Sequence, residues 1–333
     1  ETIPFLNGYT VAVVRDPHGV TGHIIPWNYP LQIFGRSVGA SLACGNACVV
    51  KPAEDACLST LRVAELALEV GFPPGALNVL SGLGEEAGEA LSNHPDIDFI
   101  SFTGSPEVGT LIQSAAARNH IGCTLELGGK SPQLLFSDAD IEKAAPVVIN
   151  AIVQNGGQTC SAGSRVLVQR SAYDAFVAEI ARRFAKVRAG THQMDLDLGA
   201  MVTKGQQARV DGFVARARAD GLPVLAEGRI ADGVPAHGYY VTPLMLGPVP
   251  LGNALACDEV FGPVLSVMPF EDEADAIRIA NGTPYGLVAG VWTRDAARSM
   301  RVARAMRCGQ VFVNGYGAGG GIELPFGGVK KSG

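Results

Sequence analysis

The chain has 333 residues, 47% of them hydrophobic and 17% charged, and it carries a net charge of −6 at pH 7. This length and hydrophobic content predict a folded protein of about two domains and exclude a disordered chain. The acidic balance disfavours a nucleic-acid-binding surface, and no apolar run approaches the ~20 residues of a membrane-spanning helix.

Predicted strands and helices alternate along the chain, which is typical of a parallel sheet covered by helices. Apolar patterning and breakers predict strands at residues 11–14, 20–25, 47–50, 76–80, 99–102 and 124–127, with helices at 31–43 and 58–70. A second series has helices at 141–154 and 173–188 around a strand at 165–169. The Gly128-Gly129 turn between the series is the candidate domain boundary, and nucleotide and substrate usually meet in a cleft between two such halves.

Seven cysteines are spread thinly along the chain, and their odd number argues against a disulfide framework. There is no Cys-x-x-Cys pair and no histidine pair at i,i+4 spacing, so we expect no metal site. Reduced thiols are typical of a cytoplasmic protein, and the first residues do not resemble a secretory signal.

Two strand ends carry residues suited to a dinucleotide. The 99–102 strand leads to Gly104 and Ser105, and a Pro-Glu pair then marks a helix start whose free N–H groups suit a pyrophosphate. Lys51 and Glu54 follow the 47–50 strand, where they could bind ribose hydroxyls. A capped helix without a ligand and a solvated loop are the alternatives. The 81–87 stretch matches G-x-G-x-x-A, but its two glutamates favour a simple turn.

Cys160 and Glu126 are suited to covalent and acid–base chemistry. Cys160 follows a glycine pair in Gly156-Gly157-Gln158-Thr159-Cys160, and an exposed thiolate beside polar groups is a nucleophile. Glu126 lies between two leucines, where burial would raise its pKa toward that of a general base. A buried structural cysteine and a salt-bridged glutamate are the alternatives. No Gly-x-Ser-x-Gly or His-Glu-x-x-His run supports a serine hydrolase or a zinc protease.

Seven runs, in order along nearly the whole chain, resemble the motifs of the aldehyde dehydrogenase superfamily. They are Ile25-Pro26-Trp27-Asn28-Tyr29-Pro30, Lys51-Pro52-Ala53-Glu54, Phe102-Thr103-Gly104-Ser105, Glu126-Leu127-Gly128-Gly129-Lys130-Ser131-Pro132, Gly157-Gln158-Thr159-Cys160, Glu259-Val260-Phe261-Gly262-Pro263 and Pro325-Phe326-Gly327-Gly328. The resemblance implies an α/β fold with a Rossmann-like cofactor domain, an α/β catalytic domain and the remnant of an oligomerisation β-hairpin. It divides the chain into a partial hairpin (1–17), an incomplete NAD-binding domain (18–128), a catalytic domain (129–320) and a segment returning toward the cofactor domain (321–333).

The resemblance also implies NAD-dependent oxidation of an aldehyde to a carboxylic acid. Cys160 would attack the aldehyde to form a thiohemiacetal, whose oxyanion the Asn28 amide and the Cys160 N–H would hold. Hydride transfer to the nicotinamide would leave a thioester, which water activated by Glu126 would hydrolyse. Relatives that pass the acyl group to coenzyme A typically lack this glutamate, so hydrolysis is favoured.

Cofactor contacts implied by the resemblance are spread over several of these runs. Lys51 and Glu54 would bind the adenosine ribose, and the Glu54 carboxylate favours NAD over NADP because it repels a 2′-phosphate. Glu259 and Phe261 would lie near the nicotinamide ribose and ring. The full set is Ile25, Pro26, Trp27, Lys51, Glu54, Gly104, Ser105, Leu127, Glu259 and Phe261.

Arg36 is the residue that bears most on the choice of aldehyde. It follows Asn28 by eight residues, which at helical spacing returns it close to the same face. Succinic-semialdehyde dehydrogenases carry an arginine here, and Arg36 could hold a substrate carboxylate. Pairing with a protein carboxylate is the alternative.

Other predicted substrate contacts are Tyr29, Thr159 and Ser161. The serine that succinic-semialdehyde dehydrogenases show near the last motif is replaced here by the triple glycine at 319–321. That loop, with Tyr29 and Tyr316, could instead line an apolar tunnel for aromatic aldehydes.

The resemblance begins partway into the family pattern, so we expect segments at both ends of the family fold to lie outside this chain. With those segments we expect a homo-oligomer, a dimer or tetramer; without them, we expect poor stability and little activity. Two rival functions stay open. One is a non-catalytic scaffold descended from the family, which the retention of Cys160, Glu126 and Asn28 disfavours, and the other is a cofactor-independent thiol esterase.

Overall fold

The computed structural model describes residues 1–5, 7–317 and 324–333, and the chain separates into two compact units. Unit 1 comprises Glu1–Thr103 and Glu107–Thr124, and unit 2 comprises Gly104–Pro106 and Leu125–Gly333. The main change from unit 1 to unit 2 therefore falls between Thr124 and Leu125.

Unit 1 is built from alternating strands and helices that follow a short hairpin. Its elements in chain order are β1 (Thr2–Ile3), β2 (Val11–Ala12), β3 (Val20–Ile25), α1 (Pro30–Phe34), α2 (Ala40–Ala43), β4 (Ala47–Pro52), α3 (Leu58–Glu69), β5 (Leu77–Val79), α4 (Glu89–Asn93), β6 (Phe99–Thr103), α5 (Pro106–Arg118) and β7 (Gly122–Glu126), the last reaching into unit 2. β1 and β2 pair antiparallel. The predicted strand at 20–25 is confirmed residue for residue, and the strand at 11–14 forms only at its first two residues.

The sheet of unit 1 has the strand order β5-β4-β3-β6-β7. The pairs β3–β4, β3–β6 and β4–β5 are parallel, and Ile24 lies opposite both Lys51 and Phe102. The order reverses between β3 and β6, and in parallel α/β sheets this is the place where ligands bind outside the carboxyl ends of the strands.

Two helical predictions in unit 1 were partly wrong. The helix expected at 31–43 contains a π-helical turn, Gly35–Gly39, between α1 and α2. The 81–87 stretch is not a simple turn, because a π-helical turn at Gly84–Gly88 continues directly into α4. Both π turns begin and end at a glycine, a residue of low helix propensity.

Unit 2 contains a seven-stranded sheet of order β11-β13-β14-β9-β8-β15-β16, in which only the β11–β13 pair is antiparallel. Its elements are β8 (Pro132–Leu135), α6 (Ile141–Val153), β9 (Arg165–Gln169), α7 (Tyr173–Phe184), β10 (Arg188–Ala189), α8 (Lys204–Ala219), β11 (Val224–Glu227), β12 (Arg229–Ile230), β13 (Leu244–Leu246), α9 (Ala254–Cys257), β14 (Val264–Phe270), α10 (Glu273–Asn281), β15 (Val288–Trp292), α11 (Ala296–Ala305) and β16 (Gln310–Val313). The helix predicted at 173–188 ends at Phe184, because Arg188 enters β10.

Both faces of this sheet are buried under helices. Along β9, Val166 and Val168 belong to one apolar cluster, and Leu167 belongs to the cluster on the opposite face. Burial on both faces explains why the strand is an apolar run without alternation, and each such side chain contributes about 1.5–3 kcal/mol. Among the residues that the structure describes, no helix is long and apolar enough to span a membrane.

Candidate active site

Three loops of unit 2 carry predicted functional residues, and each loop immediately precedes a strand of the parallel sheet. Pro132 at the start of β8 lies opposite Arg165 at the start of β9, and Arg165 lies opposite Ser266 in β14. Because the strands are parallel and in register, the loop that follows Glu126 and the loops that hold Cys160 and Glu259 end at the same amino edge of the sheet.

The Cys160 loop is shaped by left-handed backbone before the cysteine. Asn155, Gly156 and Gly157 have φ angles of 52°, 65° and 73°, which turn the chain sharply after α6. Past the cysteine, the Ala162 N–H donates a hydrogen bond to the Thr159 carbonyl at 3.0 Å. Glycine tolerates these φ values without steric cost, so the glycine pair explains how the loop can reverse direction here.

The Gly128-Gly129 pair allows two very close approaches. A Cβ atom at Gly129 would overlap the carbonyl oxygen of Cys160, and one at Gly128 would overlap the Glu259 carboxylate. The Gly129 N–H also donates to Glu259 Oε1 at 2.8 Å. The pair therefore brings the backbone of Cys160 and the side chain of Glu259 against one turn, which any larger residue would prevent.

The electrostatic surroundings of Cys160 disfavour a thiolate in the isolated chain. Burial, then the nearby Glu259 and Glu126 carboxylates, raise the pKa of the Cys160 thiol to about 12, while backbone hydrogen bonds from Ser161 and Cys160 itself oppose this rise. The sequence predicted an exposed thiolate. The structure instead has a partly buried thiol, whose raised pKa favours the protonated form.

Glu126 ends β7 and is partly buried, with its Oε2 atom fully enclosed. Its backbone carbonyl accepts a hydrogen bond from the Gly104 N–H at 3.0 Å. A Cβ atom at Gly327 would lie 3.2 Å from Glu126 Oε1, so the Pro325-Phe326-Gly327-Gly328 motif packs beside this carboxylate. The role of Glu126 as a general base stays a prediction.

Ser332 is a site residue that the sequence reasoning missed. Its hydroxyl donates to the Gly128 carbonyl at 2.6 Å and accepts from the Gly286 N–H at 2.9 Å. Its carbonyl accepts from the Leu127 N–H at 2.9 Å. The last residues of the chain thus fasten the turn that supports Cys160, and a serine four residues after a matching glycine pair was the available signal.

The predicted adenosine-binding pair forms in unit 1. Lys51 Nζ lies 2.8 Å from Glu54 Oε2; the lysine side chain is 4% exposed and the glutamate side chain 45%. The hydrogen bond from Lys51 lowers the pKa of Glu54, so its carboxylate is ionised at neutral pH. An oriented, accessible carboxylate at the carboxyl end of a parallel strand suits ribose hydroxyls.

Other predicted cofactor residues lie at the end of β3, in the segment that follows it, or just before α5. Ile25 is buried at the end of β3, and Pro26, Trp27 and Asn28 follow in the segment before α1. Ser105 is exposed just before α5.

In unit 2, two predicted donors are already engaged. Protein carbonyls accept hydrogen bonds from the N–H groups of Gly104 and Leu127, so those donors are not available to a pyrophosphate. Phe261 has a φ of 60°, which is unusual for a bulky residue and is typical of functional sites.

The predicted substrate residues lie in different parts of the chain. Thr159 and Ser161 flank Cys160, whereas Tyr29 and Arg36 lie in unit 1. The spacing argument for Arg36 was wrong, because Asn28 precedes the helix that begins at Pro30 and Arg36 lies in the π turn. Helical periodicity therefore does not relate the two residues, and the carboxylate-binding role of Arg36 stays a prediction.

The structure also bears on the residues that could line an apolar tunnel for aromatic aldehydes. The triple glycine at 319–321 lies outside the described residues, as do Ile322 and Glu323. Tyr316 is buried, and its hydroxyl donates to the Ser161 carbonyl at 2.8 Å. The phenol hydroxyl of Tyr316 therefore makes its hydrogen bond within unit 2.

Comparison with known proteins gives concordant matches. The aldehyde dehydrogenase family matches residues 1–333. A crystal structure from Burkholderia cenocepacia, provisionally assigned as an aldehyde dehydrogenase, is 61% identical with a TM-score of 0.98, and the match covers 100% of this chain and 70% of that one.

Two further matches are to a rat and a bacterial protein. Rat cytosolic aldehyde dehydrogenase 1 is 41% identical over 336 residues, covering 100% of this chain and 66% of the relative. Staphylococcus aureus betaine aldehyde dehydrogenase, solved in complex with NAD+, is 37% identical with a TM-score of 0.91, covering 95% of this chain and 63% of that one. The chain spans about two thirds of the length of the curated relatives it matches.

Proposed function

This chain belongs to the aldehyde dehydrogenase family, and we propose that the protein oxidises an aldehyde to a carboxylic acid with NAD, using Cys160 as the nucleophile. The observation that carries the proposal is the convergence of Cys160 and Glu259 on the Gly128-Gly129 turn, which follows Glu126 closely in the chain. The Glu259 and Glu126 carboxylates both raise the pKa of the Cys160 thiol.

The residues of unit 1 fit the adenosine half of the cofactor. Buried Lys51 holds the exposed Glu54 carboxylate in one orientation, ready to accept hydrogen bonds from ribose hydroxyls. Its negative charge opposes a 2′-phosphate, which favours NAD over NADP. The NAD+ bound by the S. aureus relative supports the same choice. When bound, NAD supplies the acceptor for the hydride that leaves the substrate carbon.

Cys160 performs the covalent chemistry. After losing its proton to solvent water, its sulfur adds to the aldehyde carbon, and the carbonyl π electrons move to oxygen to give a thiohemiacetal oxyanion. The Cys160 N–H and the Asn28 amide are the proposed donors to that oxyanion. Oxidation of the carbon turns this adduct into a thioester on Cys160.

Glu126 is proposed to complete the turnover. Its carboxylate takes a proton from water while the water oxygen attacks the thioester carbon, and collapse of the adduct breaks the carbon–sulfur bond. The carboxylic acid leaves and Cys160 is regenerated. Gly327 leaves room beside Glu126 Oε1, where a side chain would crowd the carboxylate.

The proposal also covers the oligomeric state and the cellular location of the protein. A homo-oligomer is expected from the family resemblance. A cytoplasmic location is supported by similarity to the rat cytosolic relative and by thiols that are all free among the described residues.

The decisive test measures NADH formation by the full protein with a panel that includes benzaldehyde and succinic semialdehyde. We expect Cys160→Ser to lower kcat by at least about 1,000-fold, with Cys257→Ser as the matched control that keeps wild-type rates. Glu126→Gln should release about one NADH per site and then stall, because acylation precedes the step that needs the base.

The same panel separates the rival functions. Wild-type turnover without NAD would indicate an esterase, and no reaction with any aldehyde would indicate a non-catalytic protein. Strong selection for succinic semialdehyde would support the carboxylate role of Arg36, while a preference for benzaldehyde would support an apolar tunnel.

A further inference from the structure

Tyr316 connects the segment after β16 to the loop of the nucleophile. Its hydroxyl donates a hydrogen bond of 2.8 Å to the carbonyl of Ser161, the residue directly after Cys160. The tyrosine is only 8% exposed, so water does not readily replace that bond. A buried carbonyl without a donor is costly, and the bond therefore holds Ser161 in one place.

The fold fixes the position of the Tyr316 ring. A Cβ atom at Gly290, in β15, would lie 2.9 Å from the ring, so glycine is needed for the ring to lie over that strand. Tyr316 forms an apolar cluster with Leu287 and Val288, and Cys160 packs against this cluster. The ring also lies 5.8 Å from that of Phe312, between centroids.

The chain leading to Tyr316 is anchored as well. Asn314 adopts a φ of 51°, and its side chain accepts from the Thr293 N–H and donates to the Thr293 carbonyl, both at 3.0 Å. Its own N–H donates to the Val291 carbonyl at 2.9 Å. These bonds tie the start of the segment to the end of β15, so the hydroxyl of Tyr316 is presented from a rigid support.

Ser161 in turn acts on the sulfur of Cys160. Its backbone hydrogen bond favours the ionised sulfur and opposes the combined effect of burial and two carboxylates. The Cys160 carbonyl, one peptide earlier, is confined by Gly129, where it makes its close approach. Two successive carbonyls of the nucleophile loop are therefore held, that of Cys160 by Gly129 and that of Ser161 by Tyr316.

We propose that Tyr316 is a positioning residue for the nucleophile: by holding the Ser161 carbonyl and packing in the cluster that Cys160 contacts, it keeps the Cys160 side chain in the position from which it reacts. The inference deepens the proposed dehydrogenase function, on which its catalytic consequence rests. The thiol itself can nevertheless be tested without any aldehyde or cofactor.

The test compares Tyr316→Phe with Tyr173→Phe and with the wild-type full protein. Tyr173 is the matched control, since its phenol oxygen is also buried in unit 2 but lies at the start of α7. The rate of Cys160 alkylation by iodoacetamide, located by peptide mass spectrometry, is measured between about pH 7 and 9, where thiolate formation limits the rate. The kcat and KM values are measured per active site, counted by the NADH burst.

We expect Tyr316→Phe to slow alkylation by about three- to tenfold at every pH, the loss expected for one hydrogen bond. The logarithm of the rate should rise with pH in parallel with the wild type. The kcat value should fall by a similar factor with KM changed less than about twofold, and Tyr173→Phe should match the wild type in both assays.

Wild-type alkylation rates in Tyr316→Phe would overturn the proposal, even if the variant were less stable, because a purely structural role lowers the melting temperature without changing the reactivity of folded molecules. Slower alkylation in a protein that oxidises no aldehyde would uphold the positioning role and refute the dehydrogenase function. Failure of the positioning role and failure of the dehydrogenase function therefore give different experimental results.

Discussion

The two units place their functional residues at opposite ends of parallel strands. In unit 1, the Lys51–Glu54 pair comes at the carboxyl end of β4, and Pro26 to Asn28 follow β3. In unit 2, Cys160 and Glu259 come before β9 and β14, at the amino edge, whereas Glu126 ends β7 and the loop after it leads to β8. Only the predicted binding residues of unit 1 follow the general rule that ligands bind outside the carboxyl ends.

The electrostatic environments of the predicted functional residues also differ between the two units. In unit 1 a buried lysine lowers the pKa of an exposed carboxylate, so the charged pair is favoured. In unit 2 burial and like charges oppose the charged forms, raising the pKa of Cys160 and lowering that of Lys130. This difference matches the proposed roles of the two units, since binding a cofactor needs stable charges, whereas covalent chemistry needs groups that gain and lose protons.

The largest expected effect is at the amino edge of unit 2. Gly129→Ala should lower kcat by about 100-fold, because the new Cβ overlaps the Cys160 carbonyl and displaces the nucleophile. Gly199→Ala is the control, since a Cβ there meets nothing within 4 Å. Equal kcat values per active site for the two variants, with unchanged circular dichroism, would contradict this prediction. They would show that the position of Cys160 does not depend on the close contact between Gly129 and the Cys160 carbonyl.

A smaller effect is expected in unit 1, where a side-chain charge matters. Glu54→Ser should raise the ratio of kcat/KM for NADP to that for NAD by about tenfold, as expected for ~1.4 kcal/mol of charge repulsion removed. Asp55→Ser, a neighbouring exposed carboxylate, serves as the control. An unchanged ratio in Glu54→Ser would mean that unit 1 does not select the cofactor through this carboxylate.

A third expected effect is on stability and concerns Lys130, which is 1% exposed beside the Gly128-Gly129 turn. Burial, with nearby Arg165 adding to it, lowers the pKa of Lys130 to about 7, although Glu259 and Asp258 oppose the shift. Between pH 7 and the ordinary lysine pKa of 10.5, the unfolded chain binds more protons than the folded one. The free energy of unfolding should therefore rise with pH across this window.

Urea unfolding of the wild type and Lys130→Met at pH 7, 8 and 9 measures this contribution. The variant should lose the rise that Lys130 supplies, while Lys143→Met, whose side chain is 81% exposed, should retain it. Identical pH slopes in the wild type and Lys130→Met would show that the lysine is not held in its uncharged form.

Local patterns explain what could be predicted before the fold was known. The strands at β3 and β9 were predicted residue for residue, because short apolar runs between breakers are local signals. The cysteine was singled out by family resemblance together with its glycine pair. Its protonated state was not predicted, because burial and the Glu259 and Glu126 carboxylates act on it through space. The prediction that Arg36 lies on the same helical face as Asn28 was wrong because a π turn changes the helical periodicity, and the π turn has no clear local signal.

The sequence by itself determined the alternation of strands and helices and the family, and it predicted Cys160 as the nucleophile. Only the tertiary structure decided which edge of each sheet carries the site and which groups surround the cysteine. The bonds from Gly129 to Glu259, Tyr316 to Ser161 and Ser332 to Gly128 join residues 130, 155 and 204 positions apart. Such contacts depend on strand order and register, which arise from packing the whole core and not from any local run of residues.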